Sequence, residues 1–219
     1  MQYSIKQVKP NIFAVVVKDD YDLAMLFCRV QEFYESPNPK FRGQNFSIWD
    51  FIEWYSRERN GSFTYPSDWA GFNIPFEVLE MCVQGMKEVE SPYDKAMQRI
   101  YSLISSMKAE GRAYIIGVPD LEGQTFIHEV CHGLYYINDE YKAIADSITN
   151  EFKKSLESAY HMFKRNLLSM GYTEDVIDDE IQAYLTTNWD NKRFGDNVKP
   201  LVKKRLHSNY ASKLEKFFL

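Results

Sequence analysis

The chain has 219 residues, of which 45% are hydrophobic and 26% are charged, so it is long enough to bury one well-formed core. A formal net charge of −5 argues against a protein built to coat nucleic acid, because such proteins carry a strongly basic domain or stripe. Three widely spaced cysteines argue against a disulfide framework, and the N-terminal apolar run IFAVVV is too short to span a bilayer. We therefore expect a cytoplasmic protein with no nucleic-acid or membrane partner.

The first half of the chain is aromatic-rich, and its pattern predicts one strand followed by helices. The β-branched run at 12–17 predicts a buried strand. Glycine, proline and asparagine at 60–75 predict an ordered loop. Apolar residues at helical spacing predict four helices, at 20–36, 46–58, 74–86 and 91–111.

The second half predicts a strand at 112–118 followed by further helices. One long helix is expected from Asp139 to Met170, because apolar residues recur there every three or four positions until Gly171. Thr173 is expected to cap the next helix. The segment 188–200 is expected to be a loop, and 201–218 a final helix.

A possible metal site lies in FIHEVCHGLYY at 126–136, which contains the pattern HExxH. On a helix, the spacing of His128 and His132 places both imidazoles on one face, where they can reach a single zinc ion. Glu129 lies beside that face, where it can take a proton from a zinc-bound water. The helix is otherwise largely apolar, so these three side chains are costly to bury unless they are paired or coordinated. The alternative is two core histidines satisfied by hydrogen bonds.

The strand followed by an apolar HEVCH helix resembles the active-site region of the zincin metallopeptidases. The resemblance implies one catalytic zinc held by His128, His132 and a third downstream ligand, with Glu129 as general base. It covers the motif helix and the strand before it, but not the first hundred or so residues. Metzincins carry a third histidine at the position occupied here by Asn138, so a gluzincin-like glutamate ligand is expected instead.

Two glutamates compete for the third ligand position. Glu151 lies in ITNEF, which resembles the asparagine–glutamate pair of some aminopeptidases and thermolysin-like enzymes, but its helical neighbours include serine and lysine. Glu180 has apolar neighbours three and four positions away, so its carboxylate should face the core and need a partner such as zinc. A glutamate followed by xxA also resembles compact gluzincin-like peptidases. We expect Glu180 to be the ligand and keep Glu151 as the alternative.

Several other polar residues are candidates for supporting roles. Asp178 and Asp179 suit the first turn of a helix, and either could orient a ligand histidine. Three tyrosines could donate a hydrogen bond to the oxyanion of a tetrahedral intermediate, and Tyr184 is preferred over Tyr135 and Tyr136.

These features together predict an α+β fold, predominantly helical with a small β-sheet and a zincin-like active-site helix. We expect a single domain over 1–219. It would comprise an aromatic-rich N-terminal part at 1–111 with no assigned role, an HExxH metallopeptidase-like core at 112–190 and a C-terminal helical tail at 191–219.

The expected function is zinc-dependent hydrolysis of peptide or related amide bonds in a peptide or protein substrate. The exposed edge of the strand before the motif is expected to hold an extended substrate. One alternative is a non-enzymatic interaction protein with a structural zinc site or an inactive zincin core. A structural site needs a fourth protein ligand, whereas an enzyme needs an open coordination position. A metal-free scaffold is the second alternative.

Overall fold

The structure is a computed structural model that describes residues 1–86, 89–187 and 200–218. The fold is α+β and predominantly helical with a small mixed sheet, which confirms the predicted fold class. The chain divides into two compact units, Met1–Glu129 and Val130–Leu219, and the boundary falls inside one helix. Among the described residues, no helix is both long and apolar enough to cross a bilayer. The loop expected at 188–200 lies, except for its last position, outside the described residues.

The first unit contains a four-stranded sheet with the order β1-β2-β4-β3. Its strands are β1 (Ser4–Lys9), β2 (Ile12–Val16), β3 (Phe72–Pro75) and β4 (Tyr114–Val118). The central strands β2 and β4 pair in parallel, and each edge strand pairs antiparallel with its neighbour. Both predicted strands are confirmed.

The two edge strands correct the sequence-based expectations. Neither β1 nor β3 was predicted, and β3 lies in the segment 60–75 that was expected to be a loop. The strand is only four residues long and ends at a proline, so it carries none of the usual sequence signs. Because β4 is hydrogen-bonded to β2 on one side and β3 on the other, the expectation that this strand offers an exposed edge to a substrate is wrong.

The four helices predicted in the first unit are confirmed, and a short additional one is present. In the described part of this unit they are α1 (Asp20–Glu35), α2 (Ile48–Glu58), α3 (Tyr65–Asp68), α4 (Phe76–Gly85) and α5 (Pro92–Met107). Side chains cap three of them, because Asp19, Ser47 and Ser91 each accept a hydrogen bond from a backbone N–H of the first turn.

Helix α1 packs closely against the sheet. The Phe27 ring stacks on Phe72 of β3 with 5.4 Å between the ring centroids. The same ring crosses β4 at Gly117, where an added Cβ would lie 2.4 Å from a Phe27 ring carbon. Arg29 of α1 pairs with Asp94 of α5 at 2.9 Å, and both side chains are buried. Strands β3 and β4 are therefore held from one face by α1.

Helices make up most of the second unit. Helix α6 (Gly123–Ile137) begins in the first unit and ends in the second. The other described helices are α7 (Asp139–Ser155), α8 (Glu157–Met170), α9 (Ile177–Thr186) and α10 (Pro200–Leu214), with 3₁₀ turns at Glu174–Val176 and Glu215–Phe217. Thr173, the expected cap, precedes the first 3₁₀ turn, and its side chain makes no capping hydrogen bond.

The single helix expected from Asp139 to Met170 is wrong, because the chain breaks at Leu156 into α7 and α8. Leu156 has φ −138° and ψ 46°, which no helix can contain. The break lets the Phe163 ring contact the Phe152 ring edge-on at 5.7 Å between centroids. In one continuous helix these residues would be about 16 Å apart along the axis. Aromatic packing therefore favours the turn over continued helix.

The buried carboxyl of Glu32 makes the stability of the first unit depend on pH. Burial raises its pKa from an ordinary value of 4.5 to about 7. Between these two values the folded state binds more protons than the unfolded state, so the free energy of unfolding falls as pH rises, by about 3 kcal/mol in total. We expect Glu32→Gln to remove this fall. Urea denaturation at pH 5 and pH 7.5, followed by tryptophan fluorescence, would measure it.

The matched control for this prediction is Glu53→Gln, which changes an exposed carboxyl on α2. Its free energy of unfolding should fall between pH 5 and pH 7.5 by as much as that of the wild type. An equal fall in Glu32→Gln and the wild type would contradict the prediction.

Candidate metal centre

Helix α6 presents the HExxH residues on a largely buried face. It begins at Gly123, whose φ of +79° is suited to glycine, and follows β4 after a short turn. Val130, Cys131 and Leu134 are buried in the core. Glu129 and His132 are buried with them, at 5% and 2% exposure, and His128 is half-buried. The motif therefore lies where polar side chains need partners.

The structure brings together His128, His132 and Glu180, the three residues predicted to bind zinc, and their role as ligands stays a prediction. Ligand atoms of the three side chains all lie within 4.8 Å of one another. Nε2 of His132 lies 3.5 Å from Oε1 of Glu180. Two ligands of one tetrahedral zinc, each about 2.0–2.2 Å from the ion, are separated by roughly 3.3–3.5 Å. The distance is long for a strong hydrogen bond and fits two ligands of a common ion.

The other ring nitrogen of His132 is held by a hydrogen-bonded chain within the second unit. Nδ1 of His132 lies 3.0 Å from Oδ1 of Asp179. Nε2 of Gln182 donates to the same oxygen at 2.9 Å, and the hydroxyl of Tyr141 donates to Oε1 of Gln182 at 2.8 Å. A proton on Nδ1 leaves the lone pair of Nε2 directed at Glu180, which is the tautomer that a metal ligand needs.

Glu129 contacts the sheet of the first unit. Nδ2 of Asn73, on β3, donates to its Oε2 at 2.8 Å. The hydroxyl of Tyr114, on β4, donates to Oδ1 of Asn73 at 2.6 Å. Neither Asn73 nor Tyr114 was predicted to lie at the site. A strand predicted at 72–75 would have pointed to Asn73, but the composition of that segment favours a loop.

The competing candidates lie in other surroundings. Glu151 is exposed on α7 and is not part of the three-residue group. Asp178 accepts hydrogen bonds from Lys153 at 2.6 Å and Tyr160 at 3.0 Å, whereas Asp179 contacts the motif histidine His132. The remaining histidines also lie elsewhere, since His161 is exposed and Nδ1 of His207 contacts the backbone oxygen of Leu185.

The three candidate tyrosines differ in what they contact. The hydroxyl of Tyr184 lies 2.9 Å from that of Tyr172, and Tyr184 is one helical turn after Glu180. The hydroxyl of Tyr135 donates to Asp146 at 2.5 Å. Burial, and to a lesser extent this hydrogen bond, raises the pKa of Tyr135 well above the usual range. Tyr136 is half-buried. The role of Tyr184 as an oxyanion donor stays a prediction.

Two imidazoles and one carboxylate are a donor set typical of catalytic zinc, which keeps one position for water or substrate. The chain matches no protein-family profile, no curated protein and no solved structure. The donor set and its surroundings are therefore the basis on which a function can be proposed.

Replacing Asp179 with asparagine should weaken zinc binding without removing a ligand. The neutral amide is a poorer partner for Nδ1 of His132, and such partners contribute about 10- to 100-fold to metal affinity. Competition with a chromophoric chelator would measure the dissociation constant. Asp178→Asn is the matched control, because this neighbouring carboxylate contacts Lys153 and Tyr160 instead. Equal losses in both variants would mean that general charge, not the contact with His132, determines affinity.

Proposed function

We propose that this protein is a zinc-dependent hydrolase of peptide or related amide bonds. The observation that carries the proposal is the convergence of His128, His132 and Glu180, whose ligand atoms lie within 4.8 Å of one another. The carboxylate of Asp179 on Nδ1 of His132 supports it, because histidine ligands of zinc are commonly oriented in this way.

The three residues would hold the ion and leave its fourth position to water and substrate. Among the described residues the group has three protein donors, which favours a catalytic over a structural zinc site. When bound, zinc supplies a Lewis acid that polarises the scissile carbonyl and makes water a better nucleophile near neutral pH. Asp179 would orient His132 for ligation, and His128 precedes His132 by one turn on the same helix.

Glu129 would move the proton that hydrolysis requires. Its carboxylate takes a proton from the attacking water and delivers it to the departing nitrogen, which must leave as an amine. Tyr184 would donate a hydrogen bond to the oxygen of the carbonyl under attack. It follows Glu180 by one turn, so both side chains lie on the same face of α9.

The proposed substrate is a peptide or protein, and the proposed location is the cytoplasm. Three buried free thiols, Cys28, Cys82 and Cys131, would suit a reducing compartment. Burial raises the pKa of Cys82 to about 12, which keeps this thiol protonated and unreactive.

One observation favours a second reading, in which the chain binds no metal and works as an interaction scaffold. A protonated His132 would face one carboxylate at each ring nitrogen, Asp179 at 3.0 Å and Glu180 at 3.5 Å. Such an imidazolium would pair with both carboxylates and needs no metal ion between them. Metal content distinguishes the two readings directly.

Metal analysis is the first test of the proposal. Protein purified without chelators or a histidine tag should contain about one zinc per chain. Glu180→Gln should lose most of it, because removal of a ligand costs more than the roughly 10- to 100-fold that a partner of a ligand contributes. Glu151→Gln, which changes an exposed glutamate on α7, is the matched control and should keep its zinc. A folded wild type that contains no zinc, even after zinc is added back, would support the scaffold.

Replacing Glu129 with glutamine should abolish hydrolysis while zinc remains bound. The amide keeps an oxygen that can accept the hydrogen bond from Asn73, so the fold should be preserved. It cannot accept a proton, and loss of a general base costs about 10²–10⁴-fold in rate. Cleavage of a quenched fluorescent peptide library by zinc-loaded protein would measure the effect. Equal cleavage by both proteins would rule out Glu129 as the base.

A further inference from the structure

The side chain of Asn73 lies between the sheet and the proposed general base. It donates from Nδ2 to Oε2 of Glu129 at 2.8 Å and accepts at Oδ1 from the hydroxyl of Tyr114 at 2.6 Å. All three residues belong to the first unit, although 56 positions separate Asn73 from Glu129. Tyr114 and Glu129 are buried at 2% and 5% exposure. The chain of hydrogen bonds is therefore largely shielded from water.

Glu129 and Tyr114 together determine which way the Asn73 amide faces, because the carboxylate can only accept and the tyrosine hydroxyl then donates to the amide oxygen. An amide side chain has a donor on one side and an acceptor on the other, and rotation by half a turn exchanges them. The tyrosine hydroxyl donates to Oδ1, so the amino group is the part directed at Glu129. The reversed amide would place an oxygen against a carboxylate. The backbone of Asn73 is fixed separately, by pairing with Ile116 of β4 and by donation to Oε1 of Gln31.

Gly71 leaves the space that the Glu129 carboxyl occupies. A Cβ added at Gly71 would lie 2.4 Å from Oε1 of Glu129 and 2.9 Å from its Cδ. The φ angle of Gly71 is outside the left-handed region, so glycine is needed there for close approach and not for backbone conformation. Asn73 and Gly71 thus contact the same carboxyl group from one short segment.

We propose that Asn73 is a positioning residue for Glu129, with Tyr114 orienting its amide and Gly71 admitting the carboxyl. This inference depends on the proposed function, since it concerns how the base of that reaction is held. A general base must lie within about 2.6–3.2 Å of the atom that carries the proton it takes, and a glutamate has three side-chain torsions that can move it away. The bond from Asn73 to Oε2 restricts them.

The test uses the full chain loaded with Co²⁺, whose visible absorption reports on its ligands. Acetohydroxamate is the probe, because it binds a metal through two oxygens and gives up its hydroxyl proton to a nearby base. Its dissociation constant would be measured in Asn73→Ala, Asn73→Asp, Tyr114→Phe and Gly71→Ala, with Glu129→Gln as the reference for a missing base. Tyr93→Phe is the matched control, since its hydroxyl donates to Asp22 at 2.8 Å in the same unit.

We expect Asn73→Ala and Gly71→Ala to weaken acetohydroxamate binding by about 10- to 100-fold, since displacement of a catalytic group by 1 Å can cost that much. Asn73→Asp should do the same, because it presents a carboxylate to Glu129. Tyr114→Phe should have a smaller effect in the same direction. Cobalt affinity and melting temperature should stay close to those of the wild type. Gly71→Ala removes no hydrogen bond, so its agreement with Asn73→Ala would separate positioning from lost stability.

The contrary outcomes distinguish this inference from the proposed function. If Glu129→Gln weakens acetohydroxamate binding but the Asn73 and Tyr114 variants do not, Asn73 is a packing residue and the inference is wrong. If all the variants, including Tyr93→Phe, weaken acetohydroxamate binding equally, general destabilisation explains the effect and the inference is again wrong. If wild-type protein binds no cobalt, or Glu129→Gln binds the probe like the wild type, the proposed function fails and takes the inference with it.

Discussion

The contact between Nδ1 of His132 and Asp179, at 3.0 Å, decides which ring nitrogen is left to face Glu180. A histidine that rotated freely could present either nitrogen to an ion, and ordering its ring on binding would lower the affinity for that ion. Asp179 and Glu180 are adjacent in the first turn of α9, so one short segment supplies a carboxylate to each side of the same ring. Gln182 then holds Asp179, and Tyr141 holds Gln182.

This arrangement places several ionisable side chains among buried residues that are mostly apolar. Glu129, His132 and Glu180 are each at most 5% exposed, and Gln182 is fully buried. Burying carboxylates is costly unless hydrogen bonds or a cation compensate. Hydrogen bonds from Asn73 and Gln182 compensate part of the cost at Glu129 and Asp179. A divalent ion between His132 and Glu180 would compensate at the point where two acceptors face each other, and it would stabilise the folded state by mass action.

Local sequence patterns predicted the parts of this molecule that depend on local interactions. The helical period placed α6 and α9, and the apolar neighbours of Glu180 correctly indicated that its carboxylate faces inward. The break at Leu156 was missed, because no glycine or proline marks it and the cause is packing between the rings of Phe152 and Phe163.

Contacts between distant segments explain the remaining errors in the site. The role suggested for Asn73 requires β3 to lie beside β4, which are 41 residues apart at the contact of Asn73 with Tyr114. A four-residue strand ending in proline gives no periodic signal, so the neighbourhood of Glu129 could not be read from the chain. Asp178 and Asp179 could not be told apart from the sequence for the same reason. They are adjacent, but Asp178 contacts Lys153 whereas Asp179 contacts His132.

The parallel pairing of β2 with β4 also imposes an order of events during synthesis. Ile12 pairs with Tyr114, so about a hundred residues must leave the ribosome before the sheet can close, a delay of about 5–20 s at typical rates of translation. During that interval β1 can already cover one edge of β2 as a hairpin, but the other edge of this apolar strand has no native partner. The surface on which Glu129 rests needs β4, so it is among the last parts of the first unit that synthesis completes.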